Sequence, residues 1–152
     1  MGFFTLETAQ AQLLPGGNFG PWIWDLELKA EQVGPGGVRL RLPYSDRIAR
    51  PGGVVIGQAM MAMADTIMVL AICEKLGRFA TLATISQTTN FLRAAVRQDV
   101  TAAARAVKVG RTTAFSEVDL FVDGSLDPIA QVLSTFAVLP DGAGAFNRAD
   151  QR

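Results

Sequence analysis

The chain has 152 residues and a formal net charge of zero, because 14 Lys and Arg residues balance 14 Asp and Glu residues. Its length and its 49% of hydrophobic residues suit one domain with a real core, and the balanced charge gives no reason to expect a nucleic acid partner. With no histidine and a single cysteine, the chain alone cannot build a Ser-His-Asp triad, an internal disulfide or a His-based metal site.

The N-terminal stretch "MGFFTLETAQAQLLPGG" predicts a short amphipathic helix, from Phe3 to Leu14, which ends at the following Pro-Gly-Gly. It lacks the basic segment of a signal peptide, and Leu6 stands where a myristoylation signal has Ser or Thr. Residues 54–73 are apolar enough to suggest a membrane span, but Asp65 at the centre would cost about 2.5 to 3.5 kcal/mol. We therefore expect a cytoplasmic protein without a membrane partner.

A hairpin is expected next in the chain. Residues Trp22 to Glu31 alternate between apolar and polar side chains, which indicates a half-buried strand. The turn sequence "VGPGG" then leads into a second alternating stretch, Val38 to Leu42. An irregular loop follows, from Pro43 to Gly53.

The stretch from Gly57 to Gly77 predicts a long central helix that is apolar nearly all round. Four β-rich stretches that can pair as neighbours follow it, namely Thr81 to Arg93, Val100 to Val109, Thr113 to Val122 and Ile129 to Leu139. The Gly-, Ala- and Asp-rich tail, residues 141–152, is expected to be loose.

An apolar helix must be enclosed, and the simplest enclosure is an antiparallel sheet wrapped around it. The sequence therefore predicts an α+β protein of the hotdog fold, with one domain over residues 1–152 and a core at about 22–140. We take Ile129 to Leu139 as an edge strand that another copy would cover. A homodimer is expected, with further assembly to a tetramer.

Four motifs occur in the order and spacing of a known family: "GQAMMAMADTIM" (57–68), "TNFLRAA" (89–95), "VGRTTAFSEVDLF" (109–121) and "PIAQVLSTFAVLP" (128–140). Together they resemble the phenylacetate-degradation type of hotdog acyl-CoA thioesterase. In that family a His-Gly-Gly opens the central helix, and an Asp or Glu follows eight residues after the first glycine. Gly57 and Asp65 keep this spacing, whereas Ile56 replaces the histidine, Gln58 the second glycine and Arg50 an asparagine of the preceding loop.

Thioester hydrolysis needs donors for the carbonyl oxygen and a carboxylate that attacks or activates water. The free amides of Gly57 and Gln58 at the helix N-terminus suit the first role, and Asp65 suits the second as base or nucleophile. Eight helical residues separate Gly57 and Asp65 by about 12 Å along the axis, too far for one carbonyl group. The donor and the acid must come from different protomers, as the resemblance also implies.

The resemblance further implies that Thr84 supplies a hydroxyl that orients the attacking water. We assign Ile56, Met61 and Met68 to the substrate pocket, because flexible methionines beside Asp65 would accommodate several acyl shapes, although packing in the core is the alternative role for these methionines. No cofactor is expected, since coenzyme A is part of the substrate. Its phosphates call for cations at strand ends and turns, for which the candidates are Arg93, Arg97, Lys108 and Arg111.

Asp65 also has a purely structural reading, as a carboxylate that pairs or caps at an interface. The alternative for the whole chain is a hotdog protein that binds acyl-CoA or another small apolar ligand without hydrolysing it. Ile56 and Arg50, in place of the usual polar partners, favour this alternative.

Overall fold

The computed structural model describes residues 4–141 and shows a six-stranded antiparallel sheet packed around one long helix. This is the α+β hotdog fold that the sequence predicts. The helices are α1 (Leu6–Gln12), α2 (Pro21–Trp24) and α3 (Gly57–Leu76), with a 3-10 turn at Asp46–Ile48. The strands are β1 (Lys29–Gly34), β2 (Gly37–Leu42), β3 (Ala49–Arg50), β4 (Val54–Val55), β5 (Leu82–Phe91), β6 (Val100–Val109), β7 (Thr113–Val122) and β8 (Ala130–Val138).

Helix α3 is the 20-residue centre of the core. It begins after Ile56, whose backbone is extended, and ends at Gly77, which takes a left-handed conformation (φ 73°) that glycine adopts without strain. Its one exposed stripe follows the i, i+4 spacing through Met61, Asp65 and Val69. Within residues 4–141, no helix combines the length and hydrophobicity needed to span a bilayer.

The sheet order is β1-β2-β6-β7-β8-β5, so the two edges of the sheet are β1 and β5. The prediction that Ile129 to Leu139 forms an edge was wrong, because β8 pairs with β7 on one side and with β5 on the other. The four strands after α3 also do not all pair in chain order, since β5 crosses to the far side of β8. Strand β8 buries alternate residues against the core, including Val132 and Phe136, and therefore needs the central place.

The first predicted strand, Trp22 to Glu31, was also wrong in part. Pro21 occupies the first position of the short helix α2, where a proline is favoured, and the indole of Trp24 donates to Phe19 O at 2.7 Å. The alternation of buried Leu26 and Leu28 arises in a turn, in which Glu27 has a positive φ of 55°. Only the end of the predicted strand enters β1, which forms the expected hairpin with β2.

Helix α1 covers the outer edge of β1 by means of one side chain. Gln10 Nε2 donates to Leu28 O at 3.3 Å, and Gln10 Oε1 accepts from the amide of Ala30 at 2.7 Å. The side-chain amide thus takes the place of a neighbouring strand. The predicted start of this helix at Phe3, and residues 142–152 of the predicted loose tail, lie outside the described residues.

Candidate active site

Strand β5 runs antiparallel beside the exposed stripe of α3, and three contacts fix their relative positions. Thr84 Oγ1 donates to Asp65 Oδ1 at 2.9 Å, and Gln87 Nε2 donates to Met61 O at 3.3 Å. At the other end, the Phe91 ring lies over Gly57, where a Cβ atom would come within 3.0 Å of Phe91 Cζ. The free edge of the sheet and the stripe of α3 therefore form one continuous surface.

Asp65 is the one carboxylate of α3 that lies in its apolar part, and it is half-buried there. Burial raises the pKa of the Asp65 carboxyl, and the hydrogen bond from Thr84 opposes this rise because it favours the ionised form. Thr84 engages one oxygen of the carboxylate and leaves the other free to accept a proton. A carboxylate in such a setting is suited to general-base chemistry near neutral pH.

The N-terminus of α3 carries backbone donors without a helical acceptor. The first intrahelical bond joins Met60 N to Ile56 O at 3.3 Å, so the amides of Gly57, Gln58 and Ala59 precede it. The side chain of Ile56 offers no cap, and the first turn has no acidic residue. These amides lie at the positive end of the helix dipole, where they can stabilise a negatively charged oxygen.

A cavity of about 470 Å³ opens at this N-terminus. Apolar side chains form most of its wall, and the guanidinium groups of two arginines are its charged groups. In the described part of the chain, none of the lining residues is acidic. The lining consists of Arg50, Val54, Val55, Ile56, Gly57, Gln58, Met60, Phe91, Leu92, Arg93 and Ala94.

Asp65 does not line this cavity. It lies about 12 Å along the helix from Gly57, as eight residues of rise require. Within one protomer, the carboxylate and the backbone donors, which the sequence analysis assigned to different protomers, therefore lie far apart along α3. The acid is beside Thr84 at the start of β5, and the backbone donors are beside Phe91 at its end.

The cationic residues proposed for coenzyme A fall in three places. Arg93 lines the cavity and contacts Asp127 at 3.5 Å in an exposed pair, which contributes little to stability. Arg97 lies in the β5–β6 loop with its side chain against Gly53 and a positive φ of 47°. Lys108 and Arg111 lie near the β6–β7 turn, at the end of the sheet that carries Thr84.

Three further positions differ from the sequence-based assignment, namely Met68, Arg50 and Phe91. Met61 is on the exposed stripe, but Met68 is fully buried in the core and is therefore not placed to line a substrate pocket. Arg50 and Phe91 line the cavity although the sequence analysis did not assign them to the site. The sequence did carry a signal for Arg50, because it replaces an asparagine of the family in the loop before α3. The position of Phe91 depends on the antiparallel register between β5 and α3, which the sequence does not show.

A sequence model of the thioesterase superfamily matches residues 52–129, which include α3, Asp65 and three of the six strands of the large sheet, β5, β6 and β7. No curated protein sequence matches the chain at a significant level. The matched segment covers Asp65 and the cavity residues from Val54 to Ala94, whereas Arg50 lies just before it.

Solved structures extend this similarity over nearly the whole chain. A candidate thioesterase from Silicibacter sp. TM1040 is 30% identical with a TM-score of 0.78, over 90% of this chain and 93% of that chain. A thioesterase from Haemophilus influenzae is 25% identical with a TM-score of 0.77, over 90% and 91%. Zebra fish thioesterase superfamily member 2 is 25% identical with a TM-score of 0.75, over 89% and 99%. The chain belongs to the thioesterase superfamily, as a thioester hydrolase with the hotdog fold.

Proposed function

We propose that the protein is an acyl-CoA thioesterase, of the phenylacetate-degradation type, whose active site forms between two protomers. The reaction consumes an acyl-CoA and one water, and it releases a carboxylate, free coenzyme A and a proton. The observation that carries the proposal is the antiparallel course of β5 along α3 at a free edge of the sheet. It places Asp65 and the amide of Gly57 at opposite ends of one strand.

The edge formed by β5 is the natural dimer surface. None of the ten residues of β5 is buried, although β8 pairs with one side of the strand. A long strand with an open edge is a template for pairing with a copy of itself about a twofold axis. Antiparallel pairing of β5 with its copy brings the end that carries Phe91 next to the partner's end that carries Thr84.

This pairing would complete the site, because Phe91 contacts Gly57 and Thr84 contacts Asp65 within each protomer. In a register that sets Phe91 opposite the partner's Thr84, the helix N-terminus of one protomer faces Asp65 of the partner subunit. The cavity, which has no acid of its own among the described residues, would then receive one. Two identical sites result, one at each end of the strand pair.

In the proposed reaction the thioester carbonyl oxygen accepts hydrogen bonds from the amides of Gly57 and Gln58. Asp65 of the partner subunit takes a proton from a water molecule held with the help of the Thr84 hydroxyl, and the water oxygen attacks the carbonyl carbon. The amides stabilise the charge that develops on the carbonyl oxygen. When the tetrahedral intermediate collapses, the C–S bond breaks and the thiolate takes the proton from Asp65.

The remaining groups of the site would bind the two halves of the substrate. Ile56 and Met61 offer apolar contacts close to the reacting carbonyl. Arg93 lines the cavity that would receive the acyl chain, whereas Arg97 would contact the phosphates of coenzyme A from one protomer. Lys108 and Arg111 would do so from the partner, since the twofold axis brings opposite ends of the two sheets together.

Release of free thiol from a panel of acyl-CoA esters, with wild type beside Asp65→Asn, tests the activity. Cys73 does not interfere with a thiol reagent, because it is fully buried and burial raises the pKa of its thiol to about 11. We expect thiol release by the wild type and its loss in the variant. Saturable binding of the esters without thiol release above that of the variant would contradict the proposal and support a binding protein.

Subunit mixing tests the shared site directly. Gly57→Pro removes the donor amide, so Gly57→Pro and Asp65→Asn homodimers should both be inactive. A mixed dimer has one site with both changes and one intact site, so random mixing should restore about one quarter of the wild-type activity. If both residues act within one protomer, each site of the mixed dimer carries one change, and no activity returns.

A further inference from the structure

We propose that Arg50 recognises a negative charge on the acyl chain, so that the preferred substrates are coenzyme A thioesters of dicarboxylic acids rather than of simple fatty acids. This inference rests on the proposed function and names its substrate class. It depends on three observations: the position of Arg50 in the cavity, the absence of an ionic partner for Arg50 among residues 4–141, and the distance between the thioester and the pyrophosphate of coenzyme A.

The backbone of Arg50 is held firmly beside the reacting group. Arg50 pairs with Val54 in the two-stranded sheet of β3 and β4, and its carbonyl accepts from Gly53 N at 3.0 Å. Ile56 N donates to Ile48 O at 2.9 Å, which joins this small sheet to the residue that precedes α3. Arg50, an exposed residue, thus lines the same cavity as Gly57 and Gln58 from a fixed strand.

The charge of this arginine is unmatched. Across residues 4–141, no carboxylate lies within 4.0 Å of the Arg50 guanidinium, whereas Arg93, which also lines the cavity, contacts Asp127. The lining also includes the apolar residues Ile56, Phe91 and Leu92. A wholly apolar acyl chain would displace water from the Arg50 guanidinium without replacing its hydrogen bonds. A carboxylate would replace them with charge-assisted hydrogen bonds, for which the guanidinium offers bidentate geometry.

The reach of coenzyme A favours the acyl chain over the phosphates as the source of this charge. With the thioester carbonyl at the Gly57 and Gln58 amides, the pyrophosphate lies at the far end of the pantetheine arm. That arm spans about 15 Å when extended, on the scale of roughly 3.5 Å for three backbone bonds. A cavity of about 470 Å³ is about 8 Å across if it is compact, which is shorter than this span but leaves room for a short acyl chain.

The test compares hexanoyl-CoA with adipoyl-CoA, whose acyl chain has the same six carbons with a carboxylate in place of the terminal methyl group. We expect Arg50→Gln to lower kcat/KM for adipoyl-CoA by about 10- to 100-fold, the effect of one or two lost charge-assisted hydrogen bonds, and to leave hexanoyl-CoA nearly unchanged. Arg50→Lys should keep part of the preference. Arg39→Gln is the matched control, because Arg39 is an exposed arginine of β2 outside this cavity.

A second arm uses the adipoyl and hexanoyl thioesters of pantetheine, which have no phosphate. The effect of Arg50→Gln on the adipoyl ester should persist there, and its disappearance would assign Arg50 to a coenzyme A phosphate and overturn the inference. An equal loss for both acyl chains, or no loss for either, would also overturn it. If the wild type hydrolyses other esters of the panel but neither of these two, the inference is overturned. If it hydrolyses no ester of the panel, the proposed function has failed, and the same comparison is then made on the Kd of the two esters by calorimetry.

Discussion

The hydroxyl of Thr84 donates to Asp65 Oδ1 at 2.9 Å and so joins the start of β5 to the middle of α3. This hydrogen bond acts against the desolvation of Asp65, which raises the pKa of the carboxyl. It also fixes the orientation of the carboxylate towards the open edge of the sheet. Thr84 is therefore a positioning residue whose contribution is visible in the pH dependence of the reaction.

Replacing Thr84 by Val removes the hydroxyl and keeps the shape of the side chain. Because the hydrogen bond favours the ionised carboxylate, its loss should raise the pKa of Asp65 further. The acid limb of the pH profile of kcat/KM should then move to higher pH. Thr84→Ser, which keeps the hydroxyl, is the control, and an acid limb at the same pH in Thr84→Val and the wild type would exclude this role.

Asp65→Asn should abolish hydrolysis and also stabilise the fold at neutral pH. The raised pKa means that the folded protein disfavours the ionised carboxylate, so this residue lowers stability as the pH rises from the usual Asp value of about 3.9 through the folded-state pKa. The variant should be more resistant to urea than the wild type at pH 7, with the difference disappearing at about pH 3. Equal protein concentrations are needed, because dimerisation contributes to stability.

A wild type that is more stable than Asp65→Asn at pH 7 would point to a structural ion pair for Asp65, formed with a partner subunit. This result would favour the structural reading of the residue. Lost activity together with gained stability is the pattern that marks a residue retained for chemistry.

Much of the fold follows from local sequence patterns. Strands β6 and β7 begin and end at the predicted residues, because each is a largely apolar run bounded by turn residues. The place of β5 at the edge does not follow from periodicity, since it depends on how the chain crosses behind β8. Its composition carried a clue, because polar residues on both faces, such as Thr84, Gln87 and Asn90, suit an edge better than a centre.

Only the part of the site that lies on a single helix could be predicted from the sequence. The spacing of Gly57 and Asp65 along one helix is a local property, and the 12 Å that it implies follows from helix geometry alone. The cavity depends on two segments that are distant in sequence, residues 50–60 and residues 91–94, which bring Arg50 and Gly57 together with Phe91. No pattern within one segment predicts that arrangement. Met68 was wrongly assigned to the substrate pocket, because the helix face taken to line the pocket was wider than the exposed stripe of α3.

Gln10→Ala should destabilise the protein by uncovering the edge of β1. The Gln10 side chain makes two hydrogen bonds to the backbone of β1, at Leu28 O and Ala30 N. Their loss should lower the free energy of unfolding by about 1 to 2 kcal/mol, measured by urea denaturation, and should speed hydrogen exchange at the Ala30 amide. Glu7→Ala, an exposed change on the same helix, is the control, and an equal effect of both would show that helix propensity alone is involved.

Gly57→Pro tests the backbone donor with little change to the helix. Proline is favoured at the first helical position, and Ile56 before it already has the extended conformation (φ −71°, ψ 145°) that a following proline requires. The substitution deletes the N–H group proposed to bind the carbonyl oxygen. We expect kcat to fall by about 100- to 1000-fold, the usual effect of losing one oxyanion donor.

Gly57→Ala is the matched control, because it adds the same Cβ atom, 3.0 Å from Phe91 Cζ, and keeps the amide hydrogen. Phe91 is 49% exposed, so its ring can shift, and this variant should retain most of the activity. Far-ultraviolet circular dichroism verifies that both variants keep the helix. Equal losses in the two variants would assign the effect to crowding at Phe91, and the donor would then have to be sought at Gln58 or Ala59.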